Sequence, residues 1–287
     1  MTTRLAPPAR RPSSTLVNGQ TRLFGIIGHP ISQARSPEAI TPAMQARGMN
    51  AVVVPIDIAP VDLPAIFPAL LRVGNLDGLV VTVPHKAAIM PWLDRIGPRA
   101  AAAGAASVLA RSADGKWLGE LFDGTGCCAS IENRGVAIAG SVVQLLGAGG
   151  AGSAIAMEML RKGPATLRIH DPDTSRLGRL VERLEEQGAP VKIEAGLDRA
   201  DILVNASPAG MLAPDDCPVP EAYITPDLVV MDCVMDPDPT CLLRLAQQAG
   251  AFTISGWEMF DSQIETVCDF FADVNETAAA DVIFPVD

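Results

Sequence analysis

From Leu23 onward, short apolar runs of strand type alternate with stretches whose apolar residues recur every three or four positions. LFGIIG, AVVVPIDI and GLVVTV read as strands, and SPEAITPAMQARG and LPAIFPALLRVG between them read as helices. Strand, helix and strand in that order predict a parallel sheet covered by helices. A second series starts near Ser141: SVVQLLG, a helix from about Ala151 to Lys162, TLRIHD, a helix through RLGRLVERLEEQG, VKIEA, DILVNA, LVVMDCV, and a helix through TCLLRLAQQAG. The alanine-rich connector from about Ala100 to Ala106 predicts a helix. SGWEMFDSQIETVCDFFADV has helical periodicity, with Trp257, Ile264, Val267 and Phe271 toward a core. The fold class expected is α/β, built as two α/β domains.

Composition narrows the partners. At 287 residues, 48% hydrophobic and 19% charged, the chain can bury a sizeable core and suits two domains better than one. A net charge of −11 repels nucleic acid and anionic membrane, so a small molecule is the expected partner, bound by a monomer or homodimer. Six cysteines (127, 128, 217, 233, 241 and 268) form no C-x-x-C pair and no zinc spacing; they read as reduced core thiols, and no metal is expected. The opening MTTRLAPPARRPSSTLVNGQ has no apolar h-region, so it reads as a mobile tail, neither signal peptide nor anchor. No later stretch approaches the roughly 20 apolar residues of a spanning helix, and a cytoplasmic location is expected.

Two motifs carry chemistry. After VVQLL comes GAGGAG, with Gly147, Gly149 and Gly152 in G-x-G-x-x-G register, Gly150 between them and a helix behind. The first glycine permits a tight turn, the second lets a pyrophosphate approach the backbone, and the third lets helix and strand pack closely. The next strand ends in Asp171, placed to accept hydrogen bonds from an adenosine ribose and to repel a 2′-phosphate, which favours NAD. Arg168 and Arg176 flank it, and an arginine there can take the phosphate of NADP, which stays open.

The other motif is GLVVTVPHK, an apolar run that breaks at Pro84 and delivers Lys86 beyond the strand end, at the carboxyl edge where α/β proteins place ligands. An amine there can give a proton to a ketone oxygen as hydride arrives and take it back in reverse. Asp123, in LGELFDGTGC, is the acid expected to orient it. By themselves a lysine after a strand and F-D-G are ordinary loop features. His85, His29 and His170 read as satisfied packing histidines.

Together FGIIGHPISQARSP, GLVVTVPHK, GELFDGTG, LLGAGGAGSA, ILVNASPAGM and GWEMFDSQ resemble the shikimate dehydrogenases and their quinate/shikimate relatives, over about Leu23 to Phe271. The resemblance implies a flexible tail over 1–20, a substrate-binding domain over 21–121, an NAD-binding Rossmann domain over 122–253, and C-terminal helices over 254–287 packing back on the substrate domain. It puts the catalytic pair on Lys86 and Asp123 and substrate contacts on Ser36, Thr82, Ser107 and Gln263. It adds Asn205, Ser207 and Gly256 to the cofactor-binding residues. The implied substrate is a small cyclic hydroxy or keto acid.

The departures from the family pattern fall where that substrate lies. Ala34 stands for the first serine of S-x-S, Val80 and Ser107 for asparagines, Leu121 and Phe122 for N-T before the aspartate, and Met235 for a tyrosine. Ala34, Val80 and Phe122 are expected to make the cleft more apolar. Arg35 is either a surface residue or a new partner for a carboxylate. The expected substrate is therefore of shikimate or quinate type, or a less polar analogue.

Overall fold

The first apolar run forms β1 (Arg22–Gly28), followed by α1 (Ser36–Ala46), β2 (Ala51–Asp57), α2 (Leu63–Leu70) and β3 (Leu76–Val81). These come from a computed structural model that describes residues 17–188, 192–211, 213–282 and 284, so residues 1–16 of the expected tail lie outside it. The chain then adds β4 (Arg95–Ile96), α3 (Pro98–Ala103), β5 (Val108–Arg111) and β6 (Trp117–Glu120). Helix α4 (Asp123–Asn133) leads into β7 (Val142–Leu146), α5 (Gly150–Lys162), β8 (Thr166–His170), α6 (Thr174–Glu185), β9 (Lys192–Ala195) and β10 (Ile202–Asn205). The remaining elements are β11 (Val229–Asp232), α7 (Cys241–Ala249), β12 (Phe252–Ile254) and α8 (Gly256–Glu276).

Two six-stranded sheets result, in the orders β2-β1-β3-β5-β6-β4 and β12-β11-β10-β7-β8-β9. In the first, β1 pairs in parallel with β2 and β3, with Gly28 opposite Asp57 and Ile27 opposite Val81, so all three strands finish at one edge. In the second, every pairing is parallel. The chain runs outward from β7 through β8 to β9, then returns to the other flank of β7 for β10 to β12. That reversal puts the topological switch at the carboxyl end of β7, where such sheets bind ligands.

Helix α8 leaves the second sheet and packs on the first. Phe271 meets Phe24 of β1 with ring centroids 4.8 Å apart, and Phe270 meets Phe122 edge-on at 5.5 Å. Phe24, Phe122 and Phe271 are fully buried, each contributing about 1.5–3 kcal/mol of transfer free energy. Trp257 and Ile264 are only half-buried, unlike Val267 and Phe271.

Four strands, β4, β5, β6 and β12, lay outside the pattern read from the sequence. β5 and β6 form an antiparallel hairpin across Ser112–Lys116, and its signal was the Asp114-Gly115 turn between VLAR and WLGE. The alanine connector is helical only to Ala103: Gly104, at φ 68°, ends it, and Ala105 and Ala106 lead into β5. Among the described residues no helix is long and apolar enough to cross a membrane.

Candidate active site

Beyond β3 the backbone turns, with His85 N–H donating to the Thr82 carbonyl at 3.0 Å. The His85 ring is buried, its Nε2 lying 2.7 Å from the Ile58 carbonyl, so it packs and braces as expected. That leaves Lys86 to project. Its Nζ donates to Asp123 Oδ1, and the two side chains are 17% and 11% exposed. Asp123 Oδ2 is buried with no hydrogen-bond partner among the described residues. An unspent buried carboxylate oxygen is costly, and a ligand hydroxyl would satisfy it.

The turn that presents Asp123 is pinned from both sides. Glu120, fully buried, accepts N–H bonds from Ala100 (2.7 Å) and Leu121 (2.9 Å) on one carboxylate oxygen. Ser107 Oγ accepts from Phe122 N–H at 3.2 Å. Burial holds the Glu120 carboxyl above the ordinary glutamate range, against the pull of those amides. Its only signal in the sequence was an acid isolated in the apolar run WLGELF.

Thr82 is half-buried at the end of β3, and Ser36 is buried in the first turn of α1. Gln263 of α8 lies against α4: a Cβ on Gly126 would sit 3.1 Å from its Cβ. Two expectations need correction. Phe122 is committed to the core against Phe270 and does not line a cleft, and Val80 packs into the same apolar cluster. His29 is not a packing histidine; it is exposed, with Nδ1 2.8 Å from Asp57 Oδ1. Arg35 stays half-exposed at the surface, its Nε 3.3 Å from Glu38 and its guanidinium 5.4 Å over the Trp257 ring.

The second edge is made of backbone. Gly147 adopts φ 97°, and a Cβ there would meet the Ala206 carbonyl oxygen at 2.9 Å. A Cβ on Gly152 would lie 2.0 Å from the Gly147 carbonyl oxygen, so only glycine lets α5 begin this close to β7. Gly149 and Gly150 face open space, and Gly149 precedes α5 as its N-cap residue, with no side-chain cap. A 13-residue helix with free N-terminal amides and an open approach fits the diphosphate of a dinucleotide.

Asp171 is buried beside this turn. Its Oδ2 accepts from Ala148 N–H at 2.7 Å and its Oδ1 from Asp173 N–H at 2.8 Å. The carboxylate thus fixes the glycine turn. Arg168 points elsewhere, donating to Glu194 at 3.0 and 2.6 Å and to the Arg199 carbonyl at 2.8 Å. Arg176 lies 3.3 Å from Asp173 and 3.9 Å from Asp171.

Asn205 takes a bracing position. It is fully buried, donating to Asp232 Oδ1 at 2.9 Å and accepting from Ser207 Oγ at 2.6 Å. Asp232, which the sequence reading missed inside LVVMDCV, also accepts from Thr240 Oγ1 at 2.6 Å and ties β10, β11 and α7 together. Burial raises its carboxyl above the ordinary aspartate range. Gly256 lets the first turn of α8 touch the Cys233 and Val234 carbonyls, where a Cβ would come within 2.8 and 2.7 Å. All six cysteines are free, and Cys127, Cys128 and Cys268 are buried. Burial pushes the Cys268 thiol up to about 11, which keeps it protonated and unreactive.

Sequence and fold are both similar to those of known proteins. The family described as "Shikimate dehydrogenase substrate binding domain" matches residues 26–109. A shikimate dehydrogenase (NADP(+)) of Rubrobacter xylanophilus is 38% identical over 247 residues, covering 84% of this chain and 87% of that protein. A crystal structure of a shikimate dehydrogenase in complex with NADP+ superposes with a TM-score of 0.81 at 30% identity, over 92% of this chain and 94% of the other. The quinate dehydrogenase from Corynebacterium glutamicum in complex with NAD gives 0.78 at 28% identity, over 88% and 93%.

Proposed function

The chain belongs to the shikimate dehydrogenase family and is an NAD(P)-dependent dehydrogenase, and we propose that it reversibly oxidises a secondary alcohol on a small polyhydroxylated ring with NAD as the preferred cofactor. The substrate is a cyclic hydroxy acid of shikimate or quinate type, or a less polar analogue. The observation that carries this reading is the Lys86–Asp123 contact with one carboxylate oxygen left unspent.

When bound, the nicotinamide supplies or accepts the hydride. Lys86 holds the proton that the ketone oxygen takes up in reduction, and removes the hydroxyl proton in oxidation. Asp123 Oδ1 aims the ammonium, and Oδ2 accepts from a neighbouring substrate hydroxyl. Ser36, Thr82, Ser107 and Gln263 supply further neutral hydrogen-bonding groups from β3, α1, the start of β5 and α8. The amides at Gly149 and Gly150 take the diphosphate; Gly147, Gly152, Asn205, Ser207 and Gly256 keep the surrounding turns close. Residues 21–121 with α8 form the substrate side and residues 122–253 the cofactor side.

Asp171 supports NAD, because a 2′-phosphate would be set against a carboxylate held in place by two amides. The second reading, an NADP-linked shikimate dehydrogenase, is favoured by the Rubrobacter relative and would use Arg176, since Arg168 is engaged with Glu194. Initial rates with shikimate, quinate and less hydroxylated ring alcohols, followed at the absorbance of the reduced cofactor with NAD and NADP in parallel, test both. Turnover with NAD exceeding that with NADP is expected. A preference for NADP would replace the first reading with the second, and absence of turnover would overturn both.

A further inference from the structure

Four of the six cysteines meet in pairs. The thiols of Cys127 and Cys233 interact directly, and so do those of Cys217 and Cys241. The pairs differ in access. Cys127 is completely buried, and Cys233 packs against the same core with its Sγ 3.7 Å from Met231 Sδ. Cys217 and Cys241 are both half-buried, with Cys217 packed on a separate apolar cluster that includes Leu242 and Leu243. A reagent in solution can therefore reach the second pair without unfolding the core.

The surrounding chain holds that pair together independently of the thiols. Cys217 ends the segment 213–217 beyond β10, and Cys241 opens α7. A Cβ on Gly210 would reach both the Asp216 carbonyl oxygen, at 3.5 Å, and Thr240 Cβ, at 3.8 Å, so the residues preceding the two cysteines flank one glycine. From the next turn of α7, Arg244 Nη2 donates to the Pro214 carbonyl at 3.5 Å and lies 3.7 Å from Asp215 Oδ1. Thr240 also anchors the turn that carries Asn205 and Ser207. Thr240 Oγ1 and Asn205 Nδ2 donate to the two oxygens of Asp232, at 2.6 and 2.9 Å, and Asn205 accepts from Ser207 Oγ. The pair thus joins the segment beyond that turn to the helix that braces it.

We propose that Cys217 and Cys241 form a redox-modification site, closed to a disulfide by a small disulfide oxidant such as glutathione disulfide and reopened by a dithiol. The Cys241 sulfur attacks one sulfur of the oxidant, breaks its S–S bond and displaces a glutathione thiolate, leaving a mixed disulfide. Cys217 then gives up its proton and attacks the Cys241 sulfur, which forms the new S–S bond and releases the second glutathione. Two cysteine thiols are oxidised, glutathione disulfide is reduced to two glutathiones, and the two thiol protons end on them. Burial raises the Cys217 thiol, which suits it to the second attack, where proximity offsets a small thiolate fraction. Because the native chain already brings the sulfurs together, the link needs little backbone movement. By fixing the segment beyond Asn205 and Ser207, it orders the cofactor turn before the dinucleotide arrives. That consequence rests on the dehydrogenase reading above; the site itself does not.

Mass spectrometry tests the site directly. The full-length enzyme is incubated under native conditions with glutathione disulfide, and its intact mass and linked peptides are determined before and after dithiothreitol. The expected product has lost two hydrogens, carries its new link between Cys217 and Cys241, and returns to the starting mass on reduction. Cys217→Ser should stop at a stable glutathione adduct on Cys241, and Cys241→Ser should form no link. The oxidised enzyme should melt higher by roughly 5 °C or more, because the link constrains the unfolded chain, and should bind NADH several-fold more tightly in a fluorescence titration. An unchanged mass, a glutathione adduct that persists in the wild type, or a link between Cys127 and Cys233 in place of this one would overturn the proposal. The expected link with unchanged NADH affinity would overturn its coupling to the cofactor turn. Failure of both the reduced and the oxidised enzyme to bind NADH would overturn the dehydrogenase reading and leave the site standing.

Discussion

The glycine turn at the end of β7 and the lysine edge beyond β3 are both candidate ligand sites at strand ends, yet they are built from different materials. The first is backbone: free amides at the start of α5, a turn at φ 97°, and a contact that a single Cβ would close to 2.0 Å. The second is side chain: Lys86 and Asp123 lie 37 residues apart, and Glu120 and Ser107 hold the aspartate's turn. A backbone site depends on a few residues being glycine. A side-chain site depends on every group around it, so substitutions can change its ligand while the catalytic pair stays.

Substitutions at each edge should therefore fail differently. The largest effect is expected for Lys86→Ala, with turnover down by roughly 10² to 10⁴ and dinucleotide affinity near normal, measured by steady-state rates beside a fluorescence titration with NADH. Asp123→Asn should lose turnover in the same pattern. A fall in cofactor affinity matching the fall in turnover would break the separation between the edges.

Gly152→Ala attacks the other edge. The added methyl meets the Gly147 carbonyl, which costs roughly 1–3 kcal/mol when packing cannot relax. Urea denaturation should show that loss and the NADH titration a weaker complex. A variant with wild-type stability and affinity would show that β7 and α5 tolerate more separation than this turn implies.

Asp171→Ser refines the comparison, because this carboxylate fixes the turn and, in the function proposed, also faces the ribose. Removing its charge should narrow the NAD over NADP preference by about tenfold, the equivalent of one pKa unit of interaction. Weakened affinity for both cofactors with an unchanged ratio would leave Asp171 only the role of bracing Ala148 N–H.

The smallest effect is expected for Glu120→Gln and is read in stability against pH. Burial raises the folded-state value of this carboxyl, so its contribution is present below the ordinary glutamate value and is lost as pH rises through the raised one. Relative to the glutamine variant, wild type should lose stability across that window and run parallel above it. Parallel curves throughout would mean that Glu120 titrates alike in the folded and unfolded chain.

The α/β alternation was legible because apolar strand runs, some only four residues long, recur between amphipathic helices. The hairpin of β5 and β6 was not, since VLAR and WLGE have no helix between them and carry no alternation of their own. The glycine turn announced itself by spacing, and Lys86 by its place after a broken strand. The contact of Arg35 with Trp257 could not be read, because it depends on α8 returning to the first sheet. The same return claims Phe122, whose substitution reads as a change of cleft in the sequence and is a core contact with Phe270 in the fold.

The central claim is that the two edges serve one direct hydride transfer, with Lys86 handling only the proton. Oxidising a ring alcohol deuterated at the carbinol carbon, using the better of shikimate and quinate, tests it most directly by the mass of the reduced cofactor. The account predicts that the cofactor formed carries the deuterium, and that Lys86→Ala makes the same labelled product more slowly. Unlabelled reduced cofactor, or a Lys86→Ala enzyme as fast as wild type, would contradict it.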